Sequence, residues 1–152
     1  TSSDFTLLYP GTGFGYATAT NNEVITSPTN YAGELAEQQC SQSQTCDEAL
    51  NLSALTTFDG KNRTPETILK QDVTDPIKTY AKELATQTAP LISVTAPTTV
   101  YVGGHLAEHW GVIGDHIQNA LHDELIYEPT ISPTDETPLL GAFTLGSGHI
   151  HF

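Results

Sequence analysis

A chain of 152 residues with 38% apolar side chains is long enough to bury a core, and with 15% charged residues it lacks the composition of a disordered polymer. Its charge is lopsided: five Lys plus Arg against eighteen Asp plus Glu leave a formal net charge of -13, which gives no basic footprint for a phosphodiester backbone and excludes direct nucleic-acid binding as the expected role. No apolar run approaches bilayer length and no charged-then-apolar leader opens the chain, so the expectation is one soluble, cytoplasmic domain over residues 1–152, with no membrane contact.

Two cysteines, Cys40 and Cys46, imply no disulfide framework, and a small loop closed between them would need oxidising surroundings. The sequons Asn51-Leu52-Ser53 and Asn62-Arg63-Thr64 fit the same secreted reading, although such triplets also arise by chance. Met is absent even at the first position, which suggests a fragment or a processed chain.

Phe5 to Tyr9 reads as a buried strand ended by Pro10 and Gly11, and Gly11-Thr12-Gly13-Phe14-Gly15 as a glycine-rich loop. Tyr16–Thr20 and Glu23–Thr26 are β-prone about an Asn21-Asn22 turn, so the opening is an antiparallel hairpin with a loop at its mouth. Asp47 to Leu55 has helical character. Thr64 caps a helix with Pro65 at its first position, and Thr74-Asp75-Pro76 repeats the device. The helix that follows carries Ile77, Tyr80, Ala81, Leu84 and Ala85 at helical spacing until Pro90 bends or ends it. Thr98–Val102 is a strand stopped by Gly103-Gly104. Trp110, Ile113, Ile117, Ala120, Leu121 and Leu125 mark another amphipathic helix, with Trp110 read as core. Residues 128–138 read as a polar, proline-bearing loop, and Leu139–Leu145 as a short closing helix. The order predicts an α/β fold, a mixed sheet covered by helices.

Singly, the glycine signals are weak; their order and spacing carry more. Leu8 to Gly15 resembles the second phosphate-contacting loop of sugar kinases of the ROK group (repressors, open reading frames, kinases), in the actin-like ATPase superfamily. Glycines let backbone N–H groups approach phosphate oxygens, and the Thr12 hydroxyl adds a donor. Gly33-Glu34 resembles the family's Gly-Glu segment, whose carboxylate accepts hydrogen bonds from sugar hydroxyls. Cys46-Asp47-Glu48 resembles the Cys-x-Glu element at the head of a helix, whose Glu also holds the sugar. Val100 to Ala107, with Gly103-Gly104, resembles the late strand and turn that contact the nucleoside, and Gly141-Ala142 falls where the closing helix begins.

The resemblance runs from about Phe5 to about Leu145. It implies a ribonuclease H-like (actin-like ATPase) domain, with Glu34 and Glu48 as sugar ligands and Gly11, Thr12, Gly13, Gly103 and Gly104 as nucleotide contacts. ATP with Mg2+ would be the cofactor of the intact kinase. An acidic chain needs such local help, from backbone N–H groups and a metal ion, to hold a nucleotide.

The departures are specific. Where zinc-bearing members place a His this chain has Glu37, and Gln39 and Ser41 stand at the Cys-x-Cys positions with Cys40 between them, so only Cys46 matches. A structural zinc needs four good ligands, and a member without zinc is expected. His105 and His109 are four apart, but Leu106 stands where a metalloprotease motif needs Glu, so no metal is assigned to them. His149 and His151 read as a tail.

The family's N-terminal lobe, with the first phosphate loop and the Asp base, has no counterpart in this sequence. No catalytic residue is assigned, and the chain alone is expected to be inactive. The leading expectation is the C-terminal lobe of an ATP-dependent hexose kinase, its partners being sugar, nucleotide and the missing lobe, with a homodimer left open. One alternative is the sugar-sensing effector domain of a ROK-type transcriptional repressor; another is a secreted, non-enzymatic binding protein.

Overall fold

The computed structural model describes residues 4–11, 14–20, 23–24, 39–41, 44–45 and 50–135. Strands Phe5–Pro10 (β1), Phe14–Thr20 (β2) and Glu23–Val24 (β3) run antiparallel in succession, with Phe5 opposite Ala19 and Pro10 opposite Phe14. Gln39–Ser41 (β4) and Gln44–Thr45 (β5) pair in a separate small hairpin. Thr99–Val102 (β6), within the strand expected at Thr98–Val102, lies parallel to β1, Phe5 beside Thr99 and Leu8 beside Val102. Among the described residues the main sheet has the order β3-β2-β1-β6-β7, where β7 is Thr130–Pro133, parallel to β6.

Strand β7 corrects the sequence reading of residues 128–138 as a loop. Pro129 and Pro133 bracket it, and only Ile131 is buried, so neither alternation nor composition announces a strand. Proline is tolerated on an edge strand, where a missing N–H breaks no ladder. The donors that are present pair: Thr130 N–H with Thr98 C=O at 2.9 Å and Thr134 N–H with Val102 C=O at 2.9 Å.

The helices are Ser53–Asp59 (α1), Pro65–Lys70 (α2), Thr74–Thr95 (α3), His105–Glu108 (α4) and Trp110–Glu124 (α5). Residues 47–49 of the first expected helix lie outside the described residues, and so does 139–145. Thr64 caps α2 as expected, its hydroxyl accepting from Thr67 N–H at 3.2 Å with Pro65 at the first position.

One expectation for α3 is corrected: its N-cap is Val73 rather than Thr74. Of the two outcomes expected at Pro90, a bend or an end, the end is ruled out, since the helix runs on to Thr95. Pro90 and Thr86 are both exposed, while Thr88, Ala89 and Ile92 stay buried and hold the last turns to the core. Ala96, at φ 45°, closes the helix with its N–H on Ile92 C=O.

One face of the sheet, through Leu8, Val100, Val102 and Ile131, packs against the Ile77, Tyr80, Leu84 stripe of α3 and the Ile113, Ile117, Leu121 stripe of α5. Trp110 is partly buried against the same core. Phe5, Leu7, Ala17 and Ala19 form a second cluster with Tyr101, whose ring centroid is 5.9 Å from that of Phe5. No helix among the described residues is long and apolar enough to cross a membrane.

Arg63 closes the turn after α1. It meets the Asp59 carboxylate through Nη2 at 2.6 Å, Nε at 3.0 Å and its own backbone N–H at 3.3 Å. The Arg63 side-chain hydrogen bonds hold the Asp59 carboxyl below the usual carboxylate range. A depressed folded-state pKa gives stability that is present above the unfolded value of about 4 and lost as pH falls through the folded value. Asp59→Asn is expected to melt below the parent at neutral pH and to converge with it in acid. Circular-dichroism melts across that range check this, and a constant gap at every pH would contradict it.

Candidate functional site

Three parallel strands deliver their C-terminal ends to one edge: β1 at Pro10, β6 at Val102 and β7 at Pro133. Gly103 N–H donates to Leu8 C=O at 2.9 Å, which carries the β1–β6 ladder into the turn. The residues just past each strand, Gly11, Gly103-Gly104 and Thr134-Asp135, therefore gather at this edge. Leu52 N–H donates to Gly11 C=O at 3.0 Å and ties the entry to α1 to the same place. In open α/β sheets, ligands collect beyond such strand ends.

Gly104 has φ 73° and ψ -151°, and a Cβ there would come within 2.9 Å of the Pro10 carbonyl oxygen. The backbone conformation is one that essentially only glycine adopts. A Cβ on Gly103 would lie 2.7 Å from Tyr9 Cδ2. The space left by Gly103 is thus occupied by the Tyr9 ring, so bulk at Gly103 would reach a ligand through Tyr9.

A cleft of about 560 Å³ opens at this edge. Tyr9 and Gly104 make one wall, His105, Ala107 and Glu108 of α4 a second, and Pro133, Thr134 and Asp135 a third. His105 Nδ1 and Glu108 Oε2 stand 3.1 Å apart at the exposed rim.

A second cleft, of about 410 Å³, lies between Leu52, Thr64–Glu66 and Leu69 on one side and His105, Glu108 and His109 on the other. His109 sits at the break between α4 and α5, with φ -113°, and lines this cleft together with His105. The Glu66 carboxyl is held below its usual range by its bond to Lys70, with lesser contributions from His105 and His109. Among the described residues no group of three or more His, Cys, Asp or Glu side chains is placed to hold a metal ion.

Of the residues singled out in sequence, Gly11, Gly103 and Gly104 meet at the edge. Thr12, Gly13, Glu34, Glu48, Glu37 and Cys46 lie outside the described residues, and Gln39 and Ser41 fall on β4. Sequence reasoning missed Tyr9, Glu108 and Asp135. Tyr9 looked like one more apolar strand residue, and Asp135 was hidden behind a strand disguised by prolines. The Oδ1 atom of Asn51 is buried without a hydrogen-bond partner.

No family model matches the chain, and no curated protein matches it by sequence. Solved structures do. A ROK family glucokinase from Streptomyces griseus, in complex with glucose and AMPPNP, superposes with a TM-score of 0.77 at 14% identity, over 96% of this chain and 60% of that one. A ROK family protein from Streptococcus pneumoniae, in complex with sucrose, gives 0.76 at 13% identity, over 95% and 57%. A ROK family transcriptional regulator, a homolog of the E. coli MLC protein, gives 0.71 at 14%, over 89% and 42%. The chain thus spans between 42% and 60% of the length of these structures. At such identities the likeness is one of fold alone: a mixed sheet with covering helices, as found in part of each of these structures.

Proposed function

We propose that the chain is the C-terminal lobe of a two-lobed ROK-type sugar kinase that transfers a phosphoryl group from ATP to a hexose hydroxyl. The observation that carries this reading is the meeting of Gly11, Gly103-Gly104 and Thr134-Asp135 beside an open cleft at one strand edge. The cleft is large enough for a nucleoside, and the Gly104 turn leaves the backbone bare against β1. Gly11, Thr12 and Gly13 would offer donors to the triphosphate, and Glu34 and Glu48 would accept from sugar hydroxyls. ATP, bound with Mg2+, would supply the phosphoryl group. The general base would come from the preceding lobe, since phosphoryl transfer needs the nucleophile and the charge held from both sides.

A second reading, the sugar-sensing domain of a repressor, is favoured by the likeness to the transcriptional regulator. Calorimetry separates the two. A kinase lobe is expected to bind ATP weakly and in a magnesium-dependent way, because half of the phosphate contacts are missing and the chain carries net charge -13. Sugar binding with no nucleotide binding would favour the repressor. A coupled ADP-release assay over a panel of hexoses is expected to match the no-protein rate, and turnover lost in Glu34→Ala would overturn the inactivity of the isolated chain.

A further inference from the structure

We infer that Tyr9 is the platform on which a nucleobase stacks in the 560 Å³ cleft, and that it gives the site a preference for purines. The inference rests on the nucleotide reading above and names the residue that would set its specificity.

The Tyr9 ring lies across the glycine pair. Its Cδ2 and Cε2 are 2.7 and 3.2 Å from the Cβ position of Gly103, and its Cζ and Cε1 are 3.5 and 3.6 Å from that of Gly104. Both edges of the ring thus lie within 3.6 Å of where a side chain on one glycine or the other would begin, so the ring spans the two residues. Neither glycine has a side chain to lift it away. Tyr9 is half-buried and lines the cleft, so the part of its surface not covered by the turn faces that space. A ring lying across a turn on one side is a preorganised surface, with little conformational freedom left to lose on binding.

The rest of the lining decides what would lie on the ring. Pro133 and Ala107 are apolar, and Glu108 and Asp135 are carboxylates. Two carboxylates repel a polyphosphate, which would be driven toward Gly11, while the uncharged base and ribose fit against Tyr9. The same carboxylates accept hydrogen bonds from ribose hydroxyls or an exocyclic amine. Stacking on an aromatic ring contributes about 1–3 kcal/mol per base by substitution, or between about fivefold and 150-fold in affinity. It scales with the area covered, so a two-ring purine gains more than a pyrimidine.

The test is calorimetry of the chain and its variants with MgATP, MgUTP and inorganic tripolyphosphate. The parent is expected to bind MgATP more tightly than MgUTP, and Tyr9→Phe to keep that ratio. Tyr9→Leu is expected to weaken MgATP about tenfold, MgUTP less, and tripolyphosphate not at all, collapsing the ratio. Gly103→Ala, whose Cβ pushes the ring aside, should give the same ATP-selective loss with Tyr9 still present. Equal loss for all three probes would assign Tyr9 a merely structural role and overturn the inference, as would unchanged MgATP affinity in both variants. A parent chain that binds no nucleotide would overturn the nucleotide reading itself, and this inference with it. Thermal melts report whether each variant is folded. If Tyr9→Leu does not fold, Gly103→Ala decides.

Discussion

Tyr80→Phe is expected to destabilise the chain by about 1–3 kcal/mol, although it removes a single oxygen. Tyr80 is fully buried in α3, and its hydroxyl donates to the Leu50 carbonyl at 2.6 Å across thirty positions of sequence. Burial pushes the phenol far up, so it stays protonated and remains a donor. Phenylalanine would keep the ring and leave the Leu50 carbonyl buried without that partner. Tyr80→Ala adds a cavity and is expected to cost about 3–5 kcal/mol, on the scale of other large aromatic truncations in cores. The bond also bears on function. Leu50 stands two residues after Glu48, so Tyr80 anchors the backbone next to a proposed sugar ligand. Urea titrations with unchanged slope measure the loss. A Tyr80→Phe midpoint equal to that of the parent would show that the bond contributes nothing net.

Much of the architecture was legible because local chemistry and the global fold agree. The hairpin, the parallel strand at Val100 and the stripes of α3 and α5 follow from apolar period and from Gly, Asn and Pro as punctuation. The misreading of residues 128–138 has a physical cause. Proline is a strong local signal, and at Pro133 position overrode it, because it closes an edge strand. Losing β7 meant losing Thr134 and Asp135, and with them a whole wall of the cleft.

The glycines were legible as a pair, but their reasons were not. Gly103 makes room for a side chain from a strand more than ninety residues earlier, and Gly104 adopts a backbone angle set by the passage of the turn over Pro10. Both depend on register, which spacing alone does not give.

Gly104→Ala is expected to abolish detectable MgATP binding. Two effects combine there. The backbone at φ 73° and ψ -151° strains any residue with a Cβ by about 1–3 kcal/mol, and that Cβ would sit 2.9 Å from the Pro10 carbonyl oxygen. The oxygen belongs to the central strand of the sheet, paired on both sides, so the turn must give way rather than the strand. Displacing the turn carries His105, Ala107 and Glu108 away from Tyr9 and opens the cleft between two of its walls. Gly60→Ala provides the control. Gly60 also has positive φ, 72°, but a Cβ there meets nothing within 4 Å, and Gly60 does not line the cleft. That variant should lose some stability, about 1 kcal/mol, and keep its nucleotide affinity. The comparison therefore separates backbone strain from the position of the turn. If Gly104→Ala binds MgATP as the parent does, the turn after β6 does not shape the nucleotide site, and placing the nucleotide at the shared edge of β1, β6 and β7 would be wrong.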